Sequence, residues 1–258
     1  MTRRKALTAF TSLAAFTLAI GAWALQPPFP SPGSRLPPVT FRPPVKLSAI
    51  EALRRGQYPR ALEAGREDLA REPGSVAALT TLTGALLETG AHAEAEETTR
   101  AFIARLPRSA DAQNVLGDVL VVRGKRTEAE AAYLKAISGR ASTTLAAEAS
   151  LGILLYERGL RAEATTRFER LIAAYNSGRA TTASDLIAVG RACRHIGISN
   201  PDAFKDALKA FDEAAILAET HEARVRIGDL FLEKFNGTEA RNAFDIVLRA
   251  NRDPPQAL

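Results

Sequence analysis

Glycines and alanines recur along the chain in a pattern that repeats about every 34 residues. The glycines are Gly56, Gly90, Gly124 and Gly159, and the alanines that stand five residues after them are Ala61, Ala95, Ala129 and Ala164. Glycine reaches the left-handed conformation that ends many helices, and alanine lets two helices cross closely. The pattern predicts a series of helix pairs.

A second series continues the repeat with steps of 35, 38 and 38 residues and marks the first helix of each pair. It consists of an apolar residue followed by glycine: Leu116-Gly117, Leu151-Gly152, Val189-Gly190 and Ile227-Gly228. Aromatic residues stand four positions after the alanine of each second helix: Tyr133, Phe168, Phe211 and Phe244. We expect these rings to fill the space beside the helix crossing. The two N-terminal repeats lack the aromatic residue, and Phe235 stands where a turn glycine is expected in the last repeat.

In these positions the chain resembles the tetratricopeptide-repeat family, in particular exported bacterial members. The family pattern joins Leu-Gly in one helix to Ala-x₃-aromatic in the next, as in Leu151-Gly152 with Ala164-x₃-Phe168. The resemblance implies an all-α fold: a right-handed α-solenoid of about six helix-turn-helix repeats over residues 47–258. Such a motif encodes packing and leaves the function open.

The resemblance also implies a concave groove, lined by the first helix of each pair, that accepts a peptide or an extended protein segment. Carried onto this chain, the partner-binding residues are Asn114, Asp118, Tyr156, Arg191, Arg194 and Asp229, with Ile153, Glu157 and Leu232 beside them. Tyr156, Arg191 and Arg194 are the expected centre, because tyrosine and arginine supply much of the energy of interfaces. The alternative is that these side chains only keep the inner face soluble.

The formal net charge of +5 does not indicate nucleic-acid binding, because of where the charges lie. Six of the 34 basic residues precede residue 47, whereas all 29 acidic residues follow it, so 28 basic residues face 29 acidic ones in the repeats. A nearly neutral surface offers little attraction to a phosphate backbone. We therefore expect a protein or peptide partner and no nucleic acid.

Catalytic and metal-binding chemistry finds no support in the sequence. The three histidines, His92, His195 and His221, lack the spacing of metal ligands, and no nucleophile, phosphate-binding or dinucleotide motif occurs. Cys193 is the single cysteine, and its apolar helical register predicts buried packing. We expect a non-catalytic protein with no cofactor and no metal.

The N-terminus has the features of an export signal. Residues 1–24 combine a basic start, an apolar stretch and the cleavage pattern Ala22-Trp23-Ala24. Residues 25–46 form a proline-rich linker that predicts an extended spacer. We expect a periplasmic or secreted protein. The alternative is a membrane anchor formed by residues 6–25, since twenty apolar residues can span a bilayer.

The C-terminal end predicts a solenoid without a covering helix. The last repeat carries Phe244, Ile246, Val247 and Leu248, and residues 251–258 are too few for another helix pair. Exposed apolar edges of solenoids are usually covered by a polar cap. We expect either self-association through this edge or a longer protein, for which the alternative function is the interaction region of a larger, peptidase-like exported enzyme.

Overall fold

The computed structural model describes residues 47–139, 144–218 and 221–251. These ranges contain twelve α-helices and no strand: α1 (Ala49–Arg54), α2 (Tyr58–Arg71), α3 (Val76–Glu88), α4 (His92–Arg105), α5 (Ala110–Val122), α6 (Arg126–Ser138), α7 (Thr144–Glu157), α8 (Arg161–Asn176), α9 (Ala183–Ile196), α10 (Ala203–Ala218), α11 (His221–Glu233) and α12 (Gly237–Asn251). The expected signal peptide and linker, residues 1–24 and 25–46, lie outside the described residues. The six predicted helix pairs are confirmed.

Local sequence signals fix where the helices begin and end. The side chains of Ser48 and Thr182 accept backbone N–H groups of the first turns of α1 and α9, and Glu51 and Asp185 return the bond in two capping boxes. The turn glycines adopt the expected left-handed conformation: φ is +68° at Gly56, +76° at Gly90, +73° at Gly124 and +82° at Gly159. The glycine series therefore ends helices, as predicted.

The helices form two layers. Consecutive odd-numbered helices from α1 to α9 contact one another, and each even-numbered helix from α2 to α10 packs between its own partner and the next odd-numbered helix. Consecutive even-numbered helices of the described ranges make no comparable contact. Helices approach most closely on the inside of a curved stack, so the odd-numbered helices form the inner layer. This is the arrangement of a tetratricopeptide solenoid.

The aromatic series packs on the glycine series. A Cβ atom added to Gly117 would lie 2.3 Å from Cε1 of Tyr133, and one added to Gly190 would lie 2.4 Å from Cε1 of Phe211. Gly152 with Phe168 and Gly228 with Phe244 repeat the contact. Each ring of the outer layer thus occupies the space that a missing side chain leaves on the inner helix.

The N-terminal repeats use smaller pairs at the same positions. In the second repeat Thr83 and Thr99 are buried, and their hydroxyl oxygens lie 3.5 Å apart. The principal hydrophobic cluster extends from Leu116 to Ala243, whereas the cluster around α1 and α2 contains only three buried alanines, Ala52, Ala61 and Ala85. The core is therefore built mainly of the third to sixth repeats.

The last repeat departs from the pattern in its turn and on its outer surface. Phe235 takes the place of the turn glycine and adopts the left-handed conformation, with φ +57° and a side chain that is 98% exposed. Ile246 and Leu248 of α12 are exposed, whereas Phe244 of the same helix packs on Gly228. Within the described ranges, no helix has the length and apolar character needed to cross a membrane.

Candidate functional site

All six predicted partner-binding residues lie on the inner layer. Asn114 and Asp118 belong to α5, Tyr156 to α7, Arg191 and Arg194 to α9, and Asp229 to α11. The structure brings Asp118 and Arg191 to one pocket, whose lining does not include the other four residues.

The pocket lies where α5, α7 and α9 meet and has a volume of about 230 Å³. The residues that line it are Asp118, Val121, Tyr133, Ser150, Ile153, Leu154, Glu157 and Arg191. Two acidic side chains, one basic side chain and two hydroxyl groups therefore share a pocket with three aliphatic side chains. Because the lining comes from three successive repeats, the pocket depends on the stacking of helix pairs.

Asp118 is held in place from the outer layer. The hydroxyl group of Tyr133 donates a hydrogen bond of 2.7 Å to Oδ1 of Asp118. Desolvation by the surrounding protein raises the pKa of Asp118 above its ordinary value, although this hydrogen bond and the charge of Arg191 oppose the rise. The same burial, with the nearby Asp118 charge, raises the pKa of Tyr133. The tyrosine therefore stays protonated and acts as a fixed donor.

The guanidinium group of Arg191 has more N–H donors than its contacts with the described residues use. Its Nη1 donates a long hydrogen bond of 3.4 Å to the hydroxyl oxygen of Ser150. No carboxylate oxygen of the described residues lies within the 4.0 Å of an ion pair. Desolvation lowers the pKa of Arg191. The negative charge of Asp118 opposes this decrease, and the positive charge of Arg226 increases it. A guanidinium group carries five N–H donors, so most of this hydrogen-bonding capacity is open towards the pocket.

Arg194 is engaged with the next repeat. Its Nε donates a 2.8 Å hydrogen bond to Oε1 of Glu233, and the two side chains form an ion pair between α9 and α11. The hydrogen bond to Glu233 raises the pKa of Arg194, and the charge of Asp229 contributes further. Of the two predicted arginines, Arg194 thus joins repeats, and Arg191 is the one open to a ligand.

Tyr156 belongs to an aromatic contact between repeats. Its ring meets His195 edge-on, with centroids 5.5 Å apart, and Arg161 lies 5.5 Å from the ring centroid. His195 also lies against Phe168, and its Nδ1 is 2.9 Å from the carbonyl oxygen of Arg191. Desolvation lowers the pKa of His195, so the ring is neutral at pH 7. Its hydrogen bond to the helix backbone positions the segment that carries Arg191.

Among the residues that the structure describes, two buried side-chain polar atoms of the inner layer have no hydrogen-bond partner. They are Oδ1 of Asn114 and Nε of Arg226. Buried polar atoms are almost always satisfied in native proteins. In contrast, Glu96, which joins α4 to the turn between α5 and α6, accepts from Arg100, Arg123 and Lys125. Some polar atoms of the inner layer are therefore unsatisfied, whereas the charged groups around Glu96 bond to each other and join two repeats.

Tyr133 and Ser150 were not predicted as site residues. One signal was present: the corresponding positions of the next three repeats carry phenylalanine, so a tyrosine places a hydroxyl group that requires a partner. The partner, Asp118, directly follows the glycine on which the ring packs. Ser150 gave no signal, because serine is common on helix surfaces.

The site contains no metal-binding cluster. Among the described residues, no group of three His, Cys, Asp or Glu side chains could hold a metal ion. Cys193 is buried, and burial raises the pKa of its thiol to about 11. A thiol with this pKa is protonated at pH 7 and is a poor nucleophile.

Comparisons with known proteins support the fold assignment. The tetratricopeptide-repeat family model matches residues 52–119. A thermophilic tetratricopeptide-repeat protein from Thermus thermophilus superposes with a TM-score of 0.50 at 20% identity, over 71% of this chain and 95% of that chain. No curated protein matches the chain.

Two further solved structures are less similar. PilW, a type IV pilus biogenesis factor, has a TM-score of 0.46 at 20% identity, over 79% of this chain and 90% of that one. YrrB, a tetratricopeptide-repeat protein with an unusual peptide-binding site, has a TM-score of 0.39 at 16% identity, over 73% and 93%. Likeness at this level of identity concerns the fold alone.

The family match begins in α1 and ends in α5, and the structure continues the same helix-turn-helix unit into α12. The repeated unit is a helix, a tight turn and an antiparallel helix, stacked so that the first helices share one layer. The chain therefore matches the tetratricopeptide-repeat model over residues 52–119 and shares the helix-pair fold of tetratricopeptide-repeat structures.

Proposed function

We propose that the protein is a non-catalytic scaffold that binds a peptide or an extended protein segment along its inner layer. The observation that carries the proposal is the open hydrogen-bonding capacity around Arg191, whose guanidinium group faces a pocket and lacks an ion pair among the described residues. Tetratricopeptide repeats bind protein or peptide partners and are generally non-catalytic, which agrees with this reading.

The distribution of ion pairs supports the choice of the inner layer. Arg66 pairs with Glu94 at 2.6 Å, and Arg100 pairs with Glu128 at 2.6 Å, each bridging consecutive even-numbered helices. The outer layer uses these charges to join repeats. Interfaces gain from arginine and aromatic side chains that are not already neutralised within the protein, and Arg191 meets this condition.

Site-specific photo-crosslinking in the native host tests the proposal. A photoreactive amino acid at Ile153, which lines the pocket, is expected to give adducts with a partner that Arg191→Ala abolishes. The same amino acid at Leu134, an exposed residue of the outer helix α6, is the matched control and is expected to give none. Adducts of equal yield at both positions, or only at Leu134, would contradict binding at the inner layer.

We further propose that this binding takes place outside the cytoplasm. The support is the N-terminal sequence, with its basic start, apolar stretch and Ala22-Trp23-Ala24 pattern. N-terminal sequencing of the protein from its host is expected to begin near Leu25. An intact segment from Met1 to Lys5 in the membrane fraction would favour the alternative anchor, and an intact segment in the cytosol would refute export.

A further inference from the structure

We infer that the pocket between α5, α7 and α9 receives the carboxamide side chain of a glutamine or asparagine of the bound peptide. The inference rests on the proposed function and names the chemistry of its central contact. The residues that carry it are Asp118, Arg191 and Tyr133, with an aliphatic wall formed by Val121 and Ile153.

The size of the pocket limits its occupant to one side chain. Its volume of about 230 Å³ is below the roughly 300–1,000 Å³ of pockets that hold drug-sized ligands or cofactors. It is nevertheless several times the volume of about 30 Å³ that one water molecule occupies in the liquid. A single side chain of an extended segment is an occupant of suitable size.

The charges of the pocket select a neutral group. Asp118 and Arg191 face the same space but are more than 4.0 Å apart, so neither neutralises the other by direct contact. A ligand ammonium group would be repelled by Arg191, and a ligand carboxylate would be repelled by Asp118 and Glu157. In a partly desolvated site each like-charge encounter is unfavourable. An uncharged group avoids both.

The hydrogen-bonding atoms select a group that both donates and accepts. An ionised carboxylate only accepts and a guanidinium only donates, whereas a primary carboxamide has two N–H donors and one carbonyl acceptor. The NH₂ group can donate to Asp118 while the carbonyl oxygen accepts from Arg191. Tyr133 donates to Oδ1 of Asp118 and thus fixes the orientation of that carboxylate. An apolar side chain would add no hydrogen bond to either charged group.

The aliphatic wall favours the longer carboxamide. Val121, Ile153 and Leu154 line the same pocket and provide contact for the methylene groups that precede the amide. Glutamine has one methylene group more than asparagine, so we expect glutamine to bind more tightly of the two.

The test measures binding of the full chain to fluorescent peptide pools by anisotropy. The pools are dodecapeptides with randomised flanks and one fixed central residue: glutamine, asparagine, glutamate, lysine or leucine. The parent protein is expected to bind the glutamine pool at least tenfold more tightly than the glutamate, lysine and leucine pools.

Two variants make the test specific for the pocket. Asp118→Asn removes one of the two negative charges of the pocket, keeps an acceptor for Tyr133, and is expected to reduce the preference for glutamine over glutamate. Arg191→Gln removes the positive charge and is expected to shift it to lysine. The matched control, Arg158→Gln, removes an arginine that pairs with Glu130 outside the pocket and is expected to leave the preference unchanged. Circular dichroism confirms that each variant is folded.

The possible results separate this inference from the proposed function. Equal binding of all pools by the parent, or a parent preference for glutamate or lysine, overturns the carboxamide assignment and leaves the groove as a peptide site. A glutamine preference that both pocket variants retain also overturns it, because the preference then arises elsewhere. Absence of binding to every pool contradicts both the inference and the proposed function.

Discussion

At the scale of single residues, the contact between a glycine and an aromatic ring is the most demanding feature of the fold. Tyr133 is buried, and its ring lies where the side chain of residue 117 would begin. Replacing either partner alone is expected to lower the stability of the fold. A larger residue at Gly117 displaces the ring, and a smaller residue at Tyr133 opens a cavity and removes the hydroxyl group that orients Asp118.

Replacement of Gly117 by alanine tests this contact. The added Cβ would lie 2.3 Å from Cε1 of Tyr133, so the ring must move, and we expect Gly117→Ala to lower the free energy of unfolding by about 1–3 kcal/mol. Urea denaturation measures the change. Gly237→Ala is the matched control, because Gly237 is also helical but has no atom within 4 Å of the added Cβ. Equal stability of the two variants would show that the core yields at this contact.

Phe235 is the residue whose backbone conformation least suits its side chain. A left-handed conformation costs an L-amino acid roughly 1–2 kcal/mol, and the exposed ring of Phe235 recovers little of it by burial. Glycines occupy the corresponding turn positions of the first four repeats. The conformation of Phe235 is therefore imposed by the turn between α11 and α12.

We expect Phe235→Gly to stabilise the protein. Glycine removes the steric cost but adds about 0.5–1 kcal/mol of backbone entropy lost on folding, so the net gain in the free energy of unfolding is at most about 1.5 kcal/mol. Phe235→Ala removes the ring and retains the unfavourable conformation, and it should leave the stability close to that of the parent. A loss of stability in both variants, seen in thermal melting, would show that the ring makes a stabilising contact.

At the scale of helices, the sequence predicted the elements well because their signals are local. The turn glycines and the alanines of the crossings each act within one helix pair, so their spacing predicts the pair directly. The pocket could be predicted only in part, since it forms between α5, α7 and α9. Asp118 and Arg191 are 73 positions apart in the sequence, and only the stacking of three repeats brings them together. The separate roles of Arg194 and Tyr156 likewise depend on neighbouring repeats.

Glu96 is the most buried charged connection between two repeats. It lies on α4, is nearly buried, and accepts from Arg100, Arg123 and Lys125, the last two in the turn between α5 and α6. Desolvation raises the pKa of Glu96, but the hydrogen bonds from Lys125 and Arg100 outweigh it, so the pKa lies below its ordinary value. The ionised form therefore stabilises the folded protein.

The consequence is a pH-dependent effect of Glu96→Gln. Because the folded-state pKa is lowered, the stabilisation is fully present above the ordinary value of 4.5 and is lost as the pH falls through the folded-state pKa. We expect Glu96→Gln to lower the free energy of unfolding by about 1–3 kcal/mol at pH 7 and by progressively less below pH 4.5, as urea denaturation at several pH values can measure.

The control for this prediction is an exposed ion pair of the same layer. Glu94 pairs with Arg66, and about half of each side chain is exposed, so Glu94→Gln should cost less than about 1 kcal/mol at any pH. If Glu96→Gln lowers the free energy of unfolding by the same amount at every pH, then Glu96 stabilises the fold through the shape of its side chain and not through its charge.

At the scale of the whole molecule, the core is unevenly distributed. The largest fully buried side chains include Tyr133, Phe168 and Phe211 of the third to fifth repeats, whereas α1 and α2 bury no side chain larger than alanine. In a stack where each repeat contacts mainly its neighbours, stability is close to a sum of local contributions. The N-terminal pair should therefore open at a lower free energy than the centre.

Native-state hydrogen exchange tests this order. We expect the amides of α2 to exchange through partial opening, well before those of α7, which has the same length of 14 residues and lies in the principal cluster. Mass spectrometry of peptides from the two helices provides the comparison. Equal protection of α2 and α7 would mean that the repeats unfold as one cooperative unit.

The glycine–aromatic contact also limits the order in which a repeat of this protein can change over generations. From Gly117 with Tyr133, a side chain larger than alanine at residue 117 requires that the ring be lost first, because even its Cβ would lie 2.3 Å from Cε1 of Tyr133. The space that the ring leaves can then be filled by the residue at position 117. Thr83 with Thr99 shows a repeat in which two residues of intermediate size share this space. To return, the inner residue must become glycine before an aromatic residue can arise opposite it. A repeat that exchanges one kind of pair for the other is therefore expected to pass through a state in which both residues are small, and the helix pair is least stable at that step.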